Sequence, residues 1–228
     1  MISPRTWHRD YVATGRPLAR ASAVGAAPAG PQYFLEVSLK LGLDSVDEFF
    51  RLAKTVLTSV EKVTTLKLEA AGHSPTRTEL LHIWSLPSPD ALREGMVRLA
   101  DNPAYGQLDA LVIDERQEIT TPFGRLVENR PRPGRGGMYV RVAGHVAARN
   151  LAEYQALQEV VPPTLPKSNW RLWTAFLNVT GRLNRVTSIW VIPRPGEITS
   201  GRELRLLPGI ELLTDVEIER WSPTAYSP

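Results

Sequence analysis

The sequence predicts an α+β protein made of two β-α-β-β-α-β units in tandem, and three observations predict it. Residues 32–41, QYFLEVSLKL, alternate apolar and polar side chains, as a half-buried strand does. Segments of helical and strand period follow in an order that begins again at residue 137. Ile83, Trp84, Pro87 and Pro89 recur as Ile189, Trp190, Pro193 and Pro195, each 106 positions later. A single offset in one element order is what internal duplication leaves behind.

Each element has a local reason. In the first strand, Tyr33, Leu35, Val37, Leu39 and Leu41 share one side, and Phe34, Glu36, Ser38 and Lys40 the other. Ser45 with Glu48 has the spacing of a capping box, and Val46, Phe49, Phe50, Ala53, Val56, Leu57 and Val60 then make an amphipathic helix. Residues 63–70 and 77–86 read as a hairpin, with Gly72 and Pro75 at its turn. Ser88-Pro89 reads as N-cap and first helical residue, ahead of a stripe formed by Leu92, Met96, Leu99 and Ala100. A closing strand is expected over 111–119. This order is the ferredoxin-like unit.

The second unit repeats it with losses. Residues 137–146 alternate like the first strand, 151–161 read as a helix stopped by Pro162-Pro163, 169–178 and 182–192 form a hairpin around Gly181, and 216–221 close the unit. The first strands align at an offset of 105, which places Phe34 over Tyr139 and Glu36 over Arg141. Gly196, Gly201, Pro208 and Gly209 occupy the place of the second helix, so a short or broken helix is expected there. The chain then divides into a basic arm (1–31), a first unit (32–120), an Arg-, Pro- and Gly-rich linker (121–136) and a second unit (137–228).

Charge and composition exclude several classes. The 228 residues carry 27 Lys+Arg and 24 Asp+Glu, a formal net charge of +3. Arg5, Arg9, Arg16 and Arg20 against Asp10 place all of that excess in the first 31 residues. A neutral body argues against a nucleic-acid binder, which concentrates Lys and Arg on one folded face. The arm is Arg-rich and acid-poor, as organellar transit peptides are, but the plain extension of a cytoplasmic protein is the preferred reading. No apolar run reaches membrane-spanning length. With no Cys, thiolate chemistry and Cys-bound metals are out, and the four His lack ligand spacing, so no metal site is expected.

Residues 82–108, HIWSLPSPDALREGMVRLADNPAYGQL, resemble the signature of the NIPSNAP-like family. The resemblance lies in Ile83-Trp84 at a strand end, the helix start Asp90-Ala91-Leu92, and Asp101-Asn102-Pro103-Ala104-Tyr105; the first strand also fits. It implies the dimeric α/β-barrel fold: two ferredoxin-like units with antiparallel sheets face to face, helices outside and room for a cavity between. It leaves a homodimer open. The superfamily it points to includes cofactor-free monooxygenases, cyclases, isomerases, haem enzymes and members without known activity, and fold alone does not choose among them.

Strand parity supplies candidate residues. Assigning the wholly apolar side of the third strands (Leu81, Ile83, Ile189, Val191) to the helices turns His82, Trp84, Ser188 and Trp190 toward the opposed sheet, beside Glu36, Tyr139 and Arg141. Trp84 and Trp190 are then expected as flat walls for a hydrophobic ligand, with Phe34, Tyr139 and Ser188 lining it. His82 is the candidate base, Arg141 the candidate oxyanion partner and Glu36 a second base. The plain alternative is core filling by both Trp and a structural Glu36–Arg141 pair, and for that pair the structural reading comes first. The function expected is a tailoring enzyme that abstracts a proton from a bulky aromatic, polyketide-like intermediate, leading to cyclisation, isomerisation or oxygenation without a cofactor. Two alternatives stand beside it: a haem enzyme or carrier, for which one axial His such as His82 would suffice, and a non-catalytic interaction protein.

Overall fold

The computed structural model describes residues 33–124, 130–133, 136–165, 169–193 and 207–228. The elements run β1 (Tyr33–Leu41), α1 (Val46–Val63), β2 (Lys67–His73), β3 (Glu79–Leu86), α2 (Pro89–Ala100), α3 (Pro103–Asp109), β4 (Val112–Pro122), β5 (Met138–Val146), α4 (Leu151–Glu159), β6 (Arg171–Asn178), β7 (Arg185–Ile192) and β8 (Leu213–Pro223). The N-terminal arm and most of the segment expected to hold the broken helix of the second unit lie outside the described residues. No helix of the described residues is long and apolar enough to cross a membrane.

All strand pairings are antiparallel, and the eight strands close into a barrel in the order β1-β3-β2-β8-β5-β7-β6-β4. Closure comes from the last strand of each unit. β4 pairs with β1 in its own unit and with β6 of the other; β8 pairs with β5 in its own unit and with β2 of the other. This is the dimeric α/β-barrel fold built within one chain. At the β2–β8 seam a Cβ on Gly72 would stand 2.7 Å from the Trp221 Cβ, so only glycine permits this approach.

Several local expectations need correction. Ser45 precedes α1, but its side chain caps nothing, and Glu48 instead accepts from Arg51 one turn on. β2 begins at Lys67 because α1 continues to Val63; Gly72 lies within that strand, and the turn is made by residues 74–78, with Arg77 at φ 61°. Ser88 does cap α2, accepting from the Ala91 amide. α3 was not anticipated, although Asn102 caps it and Pro103 opens it.

Two apolar layers divide the strand faces. Leu35, Val37, Leu41, Leu80 and Trp84 pack under α1, α2 and α3 against Phe49, Ala53, Val56, Leu99 and Leu108. The barrel lumen is filled by Phe34, Ile83, Tyr139, Trp173, Phe176, Ile189, Val191 and Trp221 from both units.

Candidate functional site

Register settles which side chains meet. Glu36 is paired with Ile83, and Val37 with His82. Partners in a register share a face, so Leu81 and Ile83 point into the lumen, while His82 and Trp84 lie beneath the helices. The parity expected for β3 is therefore reversed, and so is that of β7: Arg141 pairs with Ile189, and Val140 with Trp190. The expected single cavity walled by Trp84 and Trp190 does not form. Trp84 belongs to the layer under α1, and Trp190 to a separate cluster with Val140, Val142 and Trp170.

The other candidates divide accordingly. Phe34, Glu36, Tyr139 and Arg141 are lumenal. The Arg141 guanidinium donates to Glu36 at 2.5 Å and to Glu219 at 3.1 Å, inside a network that reaches Glu217 and Arg185. The Glu36 carboxylate and the flanking acids push the Arg141 pKa further up, against the opposing pull of its burial. Glu36 and Arg141 are thus each other's partners, in an interior otherwise packed with Phe34, Tyr139 and neighbouring rings.

A cavity lies outside the barrel wall, between β1, β3, β4 and helices α1–α3. It encloses about 70 Å³ and opens to solvent on one side. An enclosed volume of that size lies below the roughly 300–1,000 Å³ typical of small-molecule sites, so a bulky ligand enters only if α1–α3 move apart. Its walls are Leu, Val, Phe49 and Met96; its polar lining is His82, Tyr105, Asp109, Glu115 and Gln117, with Trp84 beside His82. Register fixes the floor: Val37 lies between His82 on β3 and Gln117 on β4, and Leu39 between Leu80 and Glu115.

His82 is 2% exposed, and its Nε2 lies 3.0 Å from the Tyr226 hydroxyl. Among the described residues Nδ1 has no partner. Burial lowers its pKa to about 4, because the imidazolium would lose its hydration. The ring is therefore neutral at physiological pH. Tyr226 comes from the C-terminal tail, held where the Thr224 amide donates to the Ala71 carbonyl and the Ala71 amide to Ser227 Oγ. Sequence reading missed Tyr226, since nothing local in the residues after the last strand marks a tertiary hydrogen bond.

At the mouth, burial raises the pKa of Glu115, and its neighbour Asp109 raises it further, while donation from Gln117 Nε2 works the other way. Burial also raises Asp109. The Tyr105 phenol is raised by burial and by both acids. Glu115, Gln117, Tyr105 and Asp109 were absent from the sequence-derived site.

Among the described residues the second unit shows no cavity of that size. The offset of 106 puts Ser188 where the first unit has His82, and Trp190 Nε1 donates to its Oγ at 3.0 Å. The space under α4 accommodates a water-sized centre over only about 10 Å³.

The His82 environment predicts an acid weakness. Its folded pKa lies below the unfolded value near 6.5, so the unfolded chain binds more protons in between. Stability should be complete above pH ~6.5 and fall by roughly 1.4 kcal/mol per pH unit down to about pH 4. Urea titrations across that range should show the slope, and His82→Phe should flatten it; an identical slope in the variant would place the titrating group elsewhere.

No protein-family model and no curated protein matches the sequence. Solved structures do. A candidate monooxygenase from Lactobacillus acidophilus superposes with a TM-score of 0.58 at 9% identity, over 86% of this chain and 95% of that one. An anthrone oxidase-like protein gives 0.57 at 8% identity, over 86% and 92%. A NIPSNAP family protein from Agrobacterium tumefaciens covers 43% of this chain and 99% of its own, with a TM-score of 0.38 at 14% identity.

Proposed function

We propose that this chain is a small-molecule enzyme that admits a hydrophobic aromatic, polyketide-like compound beneath α1–α3 and removes a proton from it. The observation that carries the reading is an apolar cavity lined by a buried, uncharged imidazole. A neutral ring can accept a proton only in the tautomer that leaves a lone pair free. If Nε2–H donates to Tyr226 Oη, Nδ1 is that acceptor. Trp84 and the aliphatic walls exclude water, which strengthens the pairing between the imidazolium and the carbanion or phenolate formed.

The low proton affinity of His82 sets a demand on the substrate. Its C–H must be acidified by flanking rings or a carbonyl, so that charge is delocalised as the proton leaves. Such a carbanion can close a ring, return its proton elsewhere, or react with dioxygen. The oxidase-like and monooxygenase-like neighbours share only the fold, but they bring the last fate forward. For a doubly benzylic CH2 the balance is CH2 + O2 → C=O + H2O, with dioxygen as the four-electron acceptor and no cofactor invoked.

Haem is the poorer occupant. His82 Nε2 is engaged by Tyr226, and among the described residues neither Lys nor Arg lines the cavity, where two propionates would need cations.

The test is oxygen uptake and quinone absorbance with anthrone as substrate, in the presence of a metal chelator. Turnover above the uncatalysed rate is expected. Absence of both turnover and saturable anthrone binding would remove the reading.

A further inference from the structure

The residues after β8 leave the second unit and reach into the first. The Thr224 amide donates to the Ala71 carbonyl at 3.0 Å, and the Ala71 amide donates to Ser227 Oγ at 3.1 Å. Between these anchors Tyr226 places its hydroxyl 3.0 Å from His82 Nε2. Its ring centre lies 5.7 Å from that of His82 and 6.1 Å from that of Phe50 on α1. Phe50 also ties α1 to the β2–β3 hairpin: the His73 ring is 5.8 Å away, and the Arg77 guanidinium sits 4.5 Å over its face. The neighbouring Phe49 ring, 6.1 Å from Phe50, lines the cavity. Tyr226 therefore touches both the imidazole and the helix that closes one side of the site.

The closed cavity encloses about 70 Å³, too little for an aromatic ring system, so α1 must shift before one enters. The tail that ties α1 down is itself lightly held. Among the described residues, three hydrogen bonds join residues 224–228 to the first unit. Ala225 and Pro228 are exposed, and Tyr226 and Ser227 are only half-buried. A surface segment with so few contacts opens at far lower cost than the strands it lies on. Resting on the cavity reading above, we infer that residues 224–228 are a latch on this site. Released, they free Phe50 and with it the α1 wall, and an apolar ligand enters. Seated, they close that wall and fix the His82 ring through Nε2, so access and readiness of the base change together. The second unit thereby supplies a moving part to the site of the first.

Amide hydrogen exchange on the ligand-free full chain tests the latch directly, since a helix that loses its packing frays. Tyr226→Ala should speed exchange across α1 by about tenfold or more, and Ser227→Ala, which removes one anchor and leaves the phenol in place, by about fivefold. Amides of β6 and β7 should keep their parent rates, which separates unlatching from general destabilisation. No rise in α1, or an equal rise in both units, would overturn the latch. Stopped-flow binding of anthrone gives the second measurement. In the parent the observed rate should level off as anthrone increases, because unlatching limits entry, and Tyr226→Ala should raise that ceiling about tenfold. A rate that climbs linearly and equally in parent and variant would overturn the latch and leave the cavity reading standing. Absence of anthrone binding in every form would overturn the cavity reading, with α1 exchange still deciding the latch.

Discussion

Arg141→Met should destabilise the fold by about 3–5 kcal/mol, the usual cost of stranding one charge of a buried pair. Arg141 is 3% exposed and Glu36 4%, and their 2.5 Å contact joins β5 of one unit to β1 of the other across the lumen. Removing the guanidinium leaves Glu36 among Phe34, Ile83 and Tyr139, with one carboxylate oxygen already unpartnered. Its remaining hydration must then come from water forced into the barrel. Glu36→Leu combined with Arg141→Met should recover most of the loss, because an apolar pair of similar volume needs no hydration. Urea midpoints of the two single variants and the double variant measure the coupling. A loss below about 1 kcal/mol for Arg141→Met would mean that the pair is solvated and contributes little to closing the barrel.

The elements were legible where the signal is local. β1 alternates because only one of its sides packs under the helices, and Ser88-Pro89 marks a helix start by a side-chain acceptor and a fixed φ. α3 carries the same kind of signal in Asn102-Pro103, and it was read only as part of a motif. The faces of β3 and β7 were not legible in the same way. Nearly every residue of both strands is buried, so neither side is marked by polarity. Choosing the more apolar side for the helices then inverted the site. The register with β1 holds the missing information: Leu35 and Val37 must lie under α1, and Trp84 and His82 are their partners. Tyr226 was out of reach for another reason. Its role depends on a tail folded back from the far end of the chain, which no local pattern encodes.

The asymmetry of the two units narrows the function further. Both units carry a strand position two residues before a Trp; in one it is His82, lining the cavity, and in the other it is Ser188, which accepts from Trp190 Nε1. Among the described residues the larger cavity lies in the first unit, so a substitution at His82 is the direct test of the site. His82→Gln should lower anthrone turnover by roughly 10²–10⁴-fold, the range for loss of a positioned base, with little change in ligand binding. Gln retains an amide able to bond the Tyr226 hydroxyl and fills a similar volume, so the fold should persist with an unchanged urea midpoint. The pH profile distinguishes a base from a wall. With His82 present, kcat/KM should stay level through neutral pH and fall on an acid limb near pH 4, since burial holds the imidazole neutral far below its usual range. The residual activity of His82→Gln should lack that limb. Tyr226→Phe should lower kcat more than it raises KM, and should change which ring nitrogen carries the proton, a difference visible in the nitrogen NMR shifts of His82. Turnover in His82→Gln equal to the parent, with the acid limb intact, would remove His82 from the chemistry. Glu115, a carboxylate in the same cavity whose proton affinity is raised by burial, would then be the base to test.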